Sequence, residues 1–144
     1  MNFIKFKGNN IINMAYMFKE CSSLKEINLS NFNTNNVEDM RGMFEKCSSL
    51  KELNLYNFNT NNVIYMNNMF CRCKSLYRLN LSNFNIDKVI NMSFMFCGCS
   101  SLKQLNLSNF KTNNVKYMYC IFKGCSSSIS LICTDYSIQK KYKK

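Results

Sequence analysis

The sequence predicts an α/β solenoid of about five 26-residue coils, with a parallel sheet on one face and short helices on the other. Three observations predict this fold. The same residue types recur every 26 positions, the apolar spacing changes once within each unit, and a turn-forming segment separates the units. Self-similarity at a fixed period of this length is the sequence signature of stacked repeats.

The 26-residue period is carried by apolar side chains that we expect to fill a shared core. Met17 and Phe18 open one unit, and the register is unbroken from Ile11 to Cys125. Each unit of a stacked array contributes equivalent side chains to one continuous core. The clearest rows are Met17, Met43, Met69 and Met95, then Phe18, Phe44, Phe70, Phe96 and Phe122.

The first part of each unit has helical spacing. Val37, Met40, Met43, Phe44 and Cys47 are separated by three or four positions. This spacing is typical of the apolar stripe on an amphipathic helix. We therefore expect one short helix in every unit, with this stripe against the core.

The second part of each unit has the spacing of a leucine-rich repeat. Leu50, Leu53 and Leu55 follow the pattern L-x-x-L-x-L, whose last part is a short strand. Strands of stacked units lie side by side in a parallel sheet, about 4.8 Å apart. The segment 57–62 is rich in Asn and Thr, so we expect it to turn the chain towards the next unit.

We expect a single solenoid over residues 1–139. The leucine pattern is lost after Ser126, so Leu131 and Tyr136 are candidates to cover the exposed core at the end of the array. Residues 140–144 are predicted to be a solvated, disordered basic tail. The predicted parts are a partial coil at 1–16, full coils at 17–42, 43–68, 69–94 and 95–120, and a degenerate cap at 121–139.

One repeated phrase resembles a known family. The unit M-F-x-x-C-S-S-L-K-E-L-N-L-S-N-F-N-T-N-N-V-x-x-M is clearest at 43–66 and 95–118, and it resembles the BspA-like leucine-rich-repeat surface proteins. Ordinary leucine-rich repeats have Asn or Cys at the position of Phe32. The resemblance implies a repeat array exposed on cell surfaces that mediates adhesion to host or neighbouring proteins, with no catalytic residues.

The cellular compartment stays open at the level of the sequence. The resemblance suggests the cell surface. The first seven residues, however, lack the continuous apolar stretch of a secretory signal, which suggests an intracellular protein or a fragment of a longer exported one.

Composition argues against an enzyme. The chain has no His, which removes the commonest general base and metal ligand. It has four Gly and no Gly-rich phosphate loop. We therefore expect no cofactor, no catalytic residue and no small-molecule substrate.

Net charge is unevenly distributed along the chain. The total is +11, but the seven basic and six acidic residues up to Glu52 give only +1. The remainder has twelve basic residues against two acidic ones, a net charge of +10. Such a field favours an acidic partner, so an alternative to protein binding is nucleic acid or anionic membrane bound by the C-terminal coils.

The nine cysteines are mostly explained by the repeat. Cys21, Cys47, Cys73, Cys99 and Cys125 recur with the period, and we expect them to be small buried core residues. Cys71 and Cys97 each follow a core Phe and are predicted to point away from the core. The candidates for a metal site are Cys71, Cys73, Cys97 and Cys99, although each Cys-x-Cys pair faces two ways, which disfavours convergence on one ion.

Stacked coils also bring Cys71 and Cys97 into equivalent positions. Their expected separation suits a disulfide in an oxidising compartment. The odd number of cysteines does not indicate a disulfide framework.

The expected binding surface is the outward side of the strands. In L-x-x-L-x-L the x residues face solvent. Equivalent x positions of successive coils form rows, and the side-chain chemistry along some of these rows differs from coil to coil. Tyrosine and arginine are common anchors of protein interfaces, and Tyr77 with Arg78 lies near the middle of the array. A solvated sheet face must also be polar, and its Asn row could be satisfied by laddering. The predicted contact residues are Lys51, Tyr56, Tyr77, Arg78, Asn80, Lys103 and Gln104.

Overall fold

The computed structural model describes residues 11–143, so most of the predicted partial coil lies outside the described residues. Three strands form one open parallel sheet in the order β1, β2, β3. The elements are β1 (Arg78–Asn80), β2 (Gln104–Asn106), a 3-10 turn (Thr112–Asn114), β3 (Ser130–Ile132) and α1 (Tyr136–Tyr142).

The parallel sheet follows the 26-residue register. Leu79 pairs with Leu105, and Leu105 pairs with Leu131. A single bridge from Glu52 to Arg78 continues the same line of pairing into the preceding repeat. The predicted parallel pairing is therefore confirmed, although its strands are only three residues long.

The predicted helix in each repeat is wrong. Among residues 11–143, the structure has one α-helix, α1, which follows the last repeat. The residues with helical spacing form consecutive turns instead. These turns occupy the segments 14–21, 40–47, 66–73, 92–99 and 118–125, which together are called the turn ladder below.

Backbone hydrogen bonds explain why turns replace the helix. The amides of Met43, Glu45 and Cys47 donate to carbonyls three residues earlier, at 3.3, 3.0 and 3.1 Å. The intervening amides do not reach back along the chain and instead donate to the next repeat. They run from Met40 to Tyr65, Gly42 to Asn67, Phe44 to Met69 and Lys46 to Cys71, at distances of 2.7 to 3.0 Å.

Left-handed residues make this alternation possible. Asn68 and Arg72 have φ of 59° and 61°, a conformation that costs an L-residue roughly 1–2 kcal/mol. Gly98 and Gly124 occupy equivalent positions in later repeats, with φ of 74° and 72°. The hydrogen bonds between repeats offset the cost at the positions that are not glycine.

The core confirms the predicted rows of apolar side chains. Phe44, Phe70 and Phe96 are fully buried, and their rings stack in parallel with centroids 5.8 to 5.9 Å apart. Leu79 and Leu105 close the core from the strand side. Fully buried methionines lie between these layers, namely Met40, Met43, Met66, Met69, Met92 and Met95.

The C-terminal cap forms differently from the prediction. Leu131 is half-buried in β3, but Tyr136 is 74% exposed and does not cover the core. Ile138 is fully buried instead, and Tyr142 packs edge-on against Phe122 with ring centroids 5.5 Å apart. α1 therefore covers the end of the core and crosses the predicted boundary between residues 139 and 140.

Helix α1 begins where Asp135 caps it. The Asp135 carboxylate accepts from the amide of Ile138 at 3.0 Å, as expected for an N-cap. The same carboxylate accepts from the Thr112 amide and hydroxyl, both at 2.9 Å. This shared carboxylate ties the cap to the last full repeat, so the predicted disordered tail is wrong for residues 140–142.

Candidate functional site

The exposed side of the strands forms a shallow groove of about 950 Å³. In β1, Arg78 and Asn80 are exposed while Leu79 is 3% exposed. The same alternation holds around Leu105 in β2. Side chains of one strand position therefore line up across neighbouring repeats. This groove with its rim is called the strand face below.

The predicted contact residues are all exposed, but they divide into two sets. Tyr56 is 84% exposed and Tyr77 is 47% exposed. Tyr56, Arg78, Asn80 and Gln104 line the groove. The other three, Lys51, Tyr77 and Lys103, are exposed outside its lining.

The charged row of the groove changes sign along its length. Glu26 and Glu52 are followed at the same strand position by Arg78. Arg78 Nε lies 3.3 Å from Glu52 Oε1, and these side chains are 60% and 68% exposed. An ion pair with this exposure contributes little to stability, so both groups are able to exchange partners.

The asparagine row of the groove is held locally and does not ladder. The side-chain oxygens of Asn54, Asn80 and Asn106 each accept from the amide two residues later, at 3.0 Å. Such local bonds are typical of Asx turns. Within residues 11–143 the side-chain nitrogens of these three residues make no hydrogen bond, which leaves donors available in the groove.

A second asparagine row has a structural role that the sequence analysis missed. The Asn83 side-chain amide donates to the carbonyls of Leu55, Tyr56 and Phe58, at 3.0, 3.2 and 3.1 Å. Asn57 makes the equivalent three bonds one repeat earlier. The signal was the Asn that precedes each periodic Phe of the turn segment.

The cysteine row is structural in the middle of the array. The thiols of Cys73 and Cys99 donate to the carbonyls of Phe44 and Phe70, both at 3.1 Å, and both side chains are fully buried. Burial raises the pKa of Cys47 to about 11. The prediction is wrong for Cys21, which is exposed in the first repeat, and Cys125 is only half-buried.

Cys71 does not point into solvent as predicted. It is 7% exposed, and burial, together with the neighbouring Cys97 thiol, raises its pKa to about 11. Cys97 is half-buried, and both are free thiols. Among the described residues, no three His, Cys, Asp or Glu side chains come together to hold a metal ion.

The C-terminal lysines lack the ion pairs that the N-terminal repeats have. Within residues 11–143 the four ion pairs lie between Lys19 and Arg78. Of the two acidic residues after Glu52, Asp135 is bonded to Thr112 and α1. The lysines after Arg78 that the structure describes therefore form no ion pair, although Lys88 and Lys103 donate hydrogen bonds to Asn62 and to Ser126 and Ser128.

Comparison with known proteins identifies a family. A family model described as "Mycoplasma protein of unknown function, DUF285" matches residues 2–80 and 51–139. The chain belongs to this family. The two matches overlap and together span nearly all of the strand face and the turn ladder.

No curated protein and no solved structure matches the chain. The family match and the geometry of this chain are therefore the observations that bear on its function. None of the helices in the part of the chain that the structure describes is long and apolar enough to cross a membrane.

Proposed function

We propose that the protein is a non-catalytic interaction scaffold whose strand face binds another protein. The observation that carries the proposal is the contrast between a core that repeats and one row of the groove that does not, although the asparagine row beside it does repeat. At one groove position the residues are Glu26, Glu52, Arg78 and Gln104. These side chains are not needed for packing, so their variety is available for recognition.

The proposal includes the architecture of a leucine-rich-repeat solenoid. It is supported by pairings between residues 26 positions apart on two sides of the chain. One line runs through Glu52, Arg78 and Gln104. The other passes through Asn13, Asp39, Tyr65, Asn91 and Tyr117.

A cell-surface adhesion role is the finer form of this proposal. It rests on the resemblance of the repeat phrase to the BspA-like surface proteins and on the family match across residues 2–139. In that role the bound protein belongs to a host or a neighbouring cell.

The groove has the chemistry of a protein interface. Tyr56 combines a large apolar ring with a hydroxyl at 84% exposure, and such a residue can anchor a partner. Arg78 supplies a planar guanidinium that binds carboxylates in two-point geometry. The free side-chain donors of Asn54 and Asn80 suit backbone carbonyls of an extended segment.

The test is a double substitution in the groove. The immobilised protein is used to capture partners, each captured protein is purified, and its Kd for the wild type and for Tyr56→Ala/Arg78→Ala is measured. We expect the double variant to weaken binding by about 30-fold or more, as for interface anchors. Its melting temperature should stay unchanged because both side chains are exposed.

A control removes a tyrosine and a basic residue elsewhere. Tyr117 and Lys116 are exposed on the opposite line of pairing, so Lys116→Ala/Tyr117→Ala should leave the Kd unchanged. Equal loss in the two double variants contradicts a site on the strand face.

A second candidate function is binding of nucleic acid or anionic membrane by the C-terminal repeats. The unpaired lysines beyond Arg78 favour it. Binding of this kind falls steeply with salt. Association that is unchanged between low and physiological salt contradicts it.

A further inference from the structure

The backbone-to-backbone hydrogen bonds between segments of the turn ladder run in one direction. In every pair of neighbouring segments an N–H of the earlier one donates to a carbonyl of the later one. Thus Phe44 donates to Met69, and Phe70 donates to Met95, both at 2.9 Å. Each stacked turn segment therefore receives bonds on one side and offers N–H groups on the other.

Within residues 11–143 the final segment of the turn ladder is followed by β3 and α1, and not by another turn segment that could accept its N–H groups. In the preceding repeat the donors are Met92, Phe94, Phe96 and Gly98, with bonds of 2.7 to 3.1 Å. The equivalent amides find no acceptor within residues 11–143, because the chain continues into β3 and α1. They belong to Met118, Cys120, Phe122 and Gly124.

These four amides form the positive end of a stack of peptide dipoles. Aligned peptide groups add their dipoles, as they do in a helix, where the N–H end attracts anions. Left-handed residues are also part of anion-binding nests, in which neighbouring residues have opposite hand. Cys120 and Gly124 are left-handed, with φ of 51° and 72°.

Three lysines line a cavity together with three of these four residues. A cavity of about 820 Å³ is lined by Cys120, Phe122, Gly124 and by Lys123, Lys141 and Lys143. Tyr142 holds the lysine-bearing end of α1 in place, since its hydroxyl bonds to the amide of Ile129 at 2.8 Å. The cavity therefore joins unpaired backbone donors to three ammonium groups on an ordered support.

We propose that this end of the turn ladder is a binding site for phosphate groups. The unpaired amides of Cys120, Phe122 and Gly124 donate to the phosphate oxygens, and Lys123 and Lys141 balance the charge. Hydrogen bonds to ionised acceptors are about twice as strong as neutral ones. The row of donors suits an anion with several phosphates better than a single phosphate ion.

This site is separate from the strand face and does not depend on protein binding there. It is also narrower than general attraction to a basic region, because it requires particular backbone amides. If no phosphate binds at this site, the second candidate function is unaffected, because it depends on the other lysines.

The first experiment is an amide NMR titration of the full chain with inorganic phosphate and tripolyphosphate, at constant ionic strength set with chloride. We expect the amide signals of Cys120, Phe122 and Gly124 to shift in a saturable way, more with tripolyphosphate. The matched control lies in the protein itself. Phe94, Phe96 and Gly98 have the same positions one repeat earlier but are already hydrogen-bonded, and they should shift little.

The second experiment separates the site from net charge. Lys123→Gln/Lys141→Gln should weaken tripolyphosphate binding by about tenfold, because charge-assisted bonds are lost. Lys88→Gln/Lys111→Gln removes the same charge from exposed lysines outside the cavity and should leave the Kd within about twofold of the wild type. Equal weakening by both pairs, or equal shifts in both sets of amides, overturns the proposal.

Parallel binding measurements with soluble phosphates and with lipid vesicles identify the source of the phosphate group. Saturable binding of tripolyphosphate assigns the site to soluble phosphates. If only phosphatidylglycerol vesicles bind, with phosphatidylcholine vesicles as the control, and Lys123→Gln/Lys141→Gln abolishes this binding, the site takes lipid headgroups. Absence of binding in every arm overturns the proposal.

Discussion

The strand face and the turn ladder obey the same 26-residue register but use it differently. On the strand face, β1 to β3 have three residues each, and the exposed row that contains Glu52, Arg78 and Gln104 changes type from repeat to repeat, while the asparagine row does not. In the turn ladder the inward residues are mostly Met, Phe and Cys in every repeat, and Phe44, Phe70 and Phe96 stack in parallel. The variable row therefore lies on the strand face, and the core rows of the turn ladder are constant.

The difference shows where the structure constrains the side chains. A buried ring in the turn ladder contacts its equivalents on both sides, so a smaller side chain leaves a cavity in a close-packed row. An exposed residue of the strand face, such as Arg78, has only a solvent-exposed ion pair. Variation is therefore tolerated on the strand face, where it is available for recognition.

The largest loss of stability is expected when a ring is removed from the middle of the turn ladder. Phe70 is fully buried between Phe44 and Phe96, so Phe70→Ala should lower the free energy of unfolding by about 3–5 kcal/mol. Urea unfolding followed by circular dichroism measures the change. The matched strand-face variant, Tyr56→Ala, should stay within about 0.5 kcal/mol of wild type, and similar values for both contradict the division.

A smaller effect is expected where the turn ladder needs a left-handed residue. Gly42 has φ of 56°, and a Cβ added there would overlap the Tyr16 ring. Gly42→Ala should therefore cost about 1–2 kcal/mol in the free energy of unfolding. Asn68→Gly, at the equivalent position with φ of 59°, should change it by less than about 0.5 kcal/mol. A neutral Gly42→Ala in thermal unfolding contradicts the left-handed assignment.

The smallest effect concerns the cap and depends on pH. Burial alone raises the pKa of Asp135, but hydrogen bonds from Thr112 and from the amides of Ile138 and Ser137 outweigh it, so the net pKa lies below the ordinary 3.8. A lowered pKa in the folded state means that this stabilisation is present above the unfolded pKa. It is lost as the pH falls through the folded value.

We therefore expect the melting temperature to decrease as the pH is lowered below about 4. In Asp135→Asn this part of the pH dependence should disappear, while the melting temperature at neutral pH is lower than that of the wild type. Identical pH profiles for the two proteins contradict the role of Asp135 in the cap.

Much of the candidate site follows from the sequence because strand residues alternate. Once Leu79 is assigned to the core, Arg78 and Asn80 must be exposed, and both line the groove. The exclusion of Tyr77 from the groove lining was not predictable, because it depends on where the short strand begins. The burial of Cys71 was likewise not predictable. The turn conformation, unlike a helix, places Cys71 next to Cys97 of the following repeat.

The period, the core rows and the parallel register follow from the amino-acid sequence alone. Each of these depends only on which residues recur and on the burial of apolar surface. The choice between helix and turn in the segments with helical spacing depends on tertiary contacts. There the amides of residues such as Gly42 and Phe44 donate to the following repeat, and a local pattern of apolar residues carries no information about a partner 25 positions away.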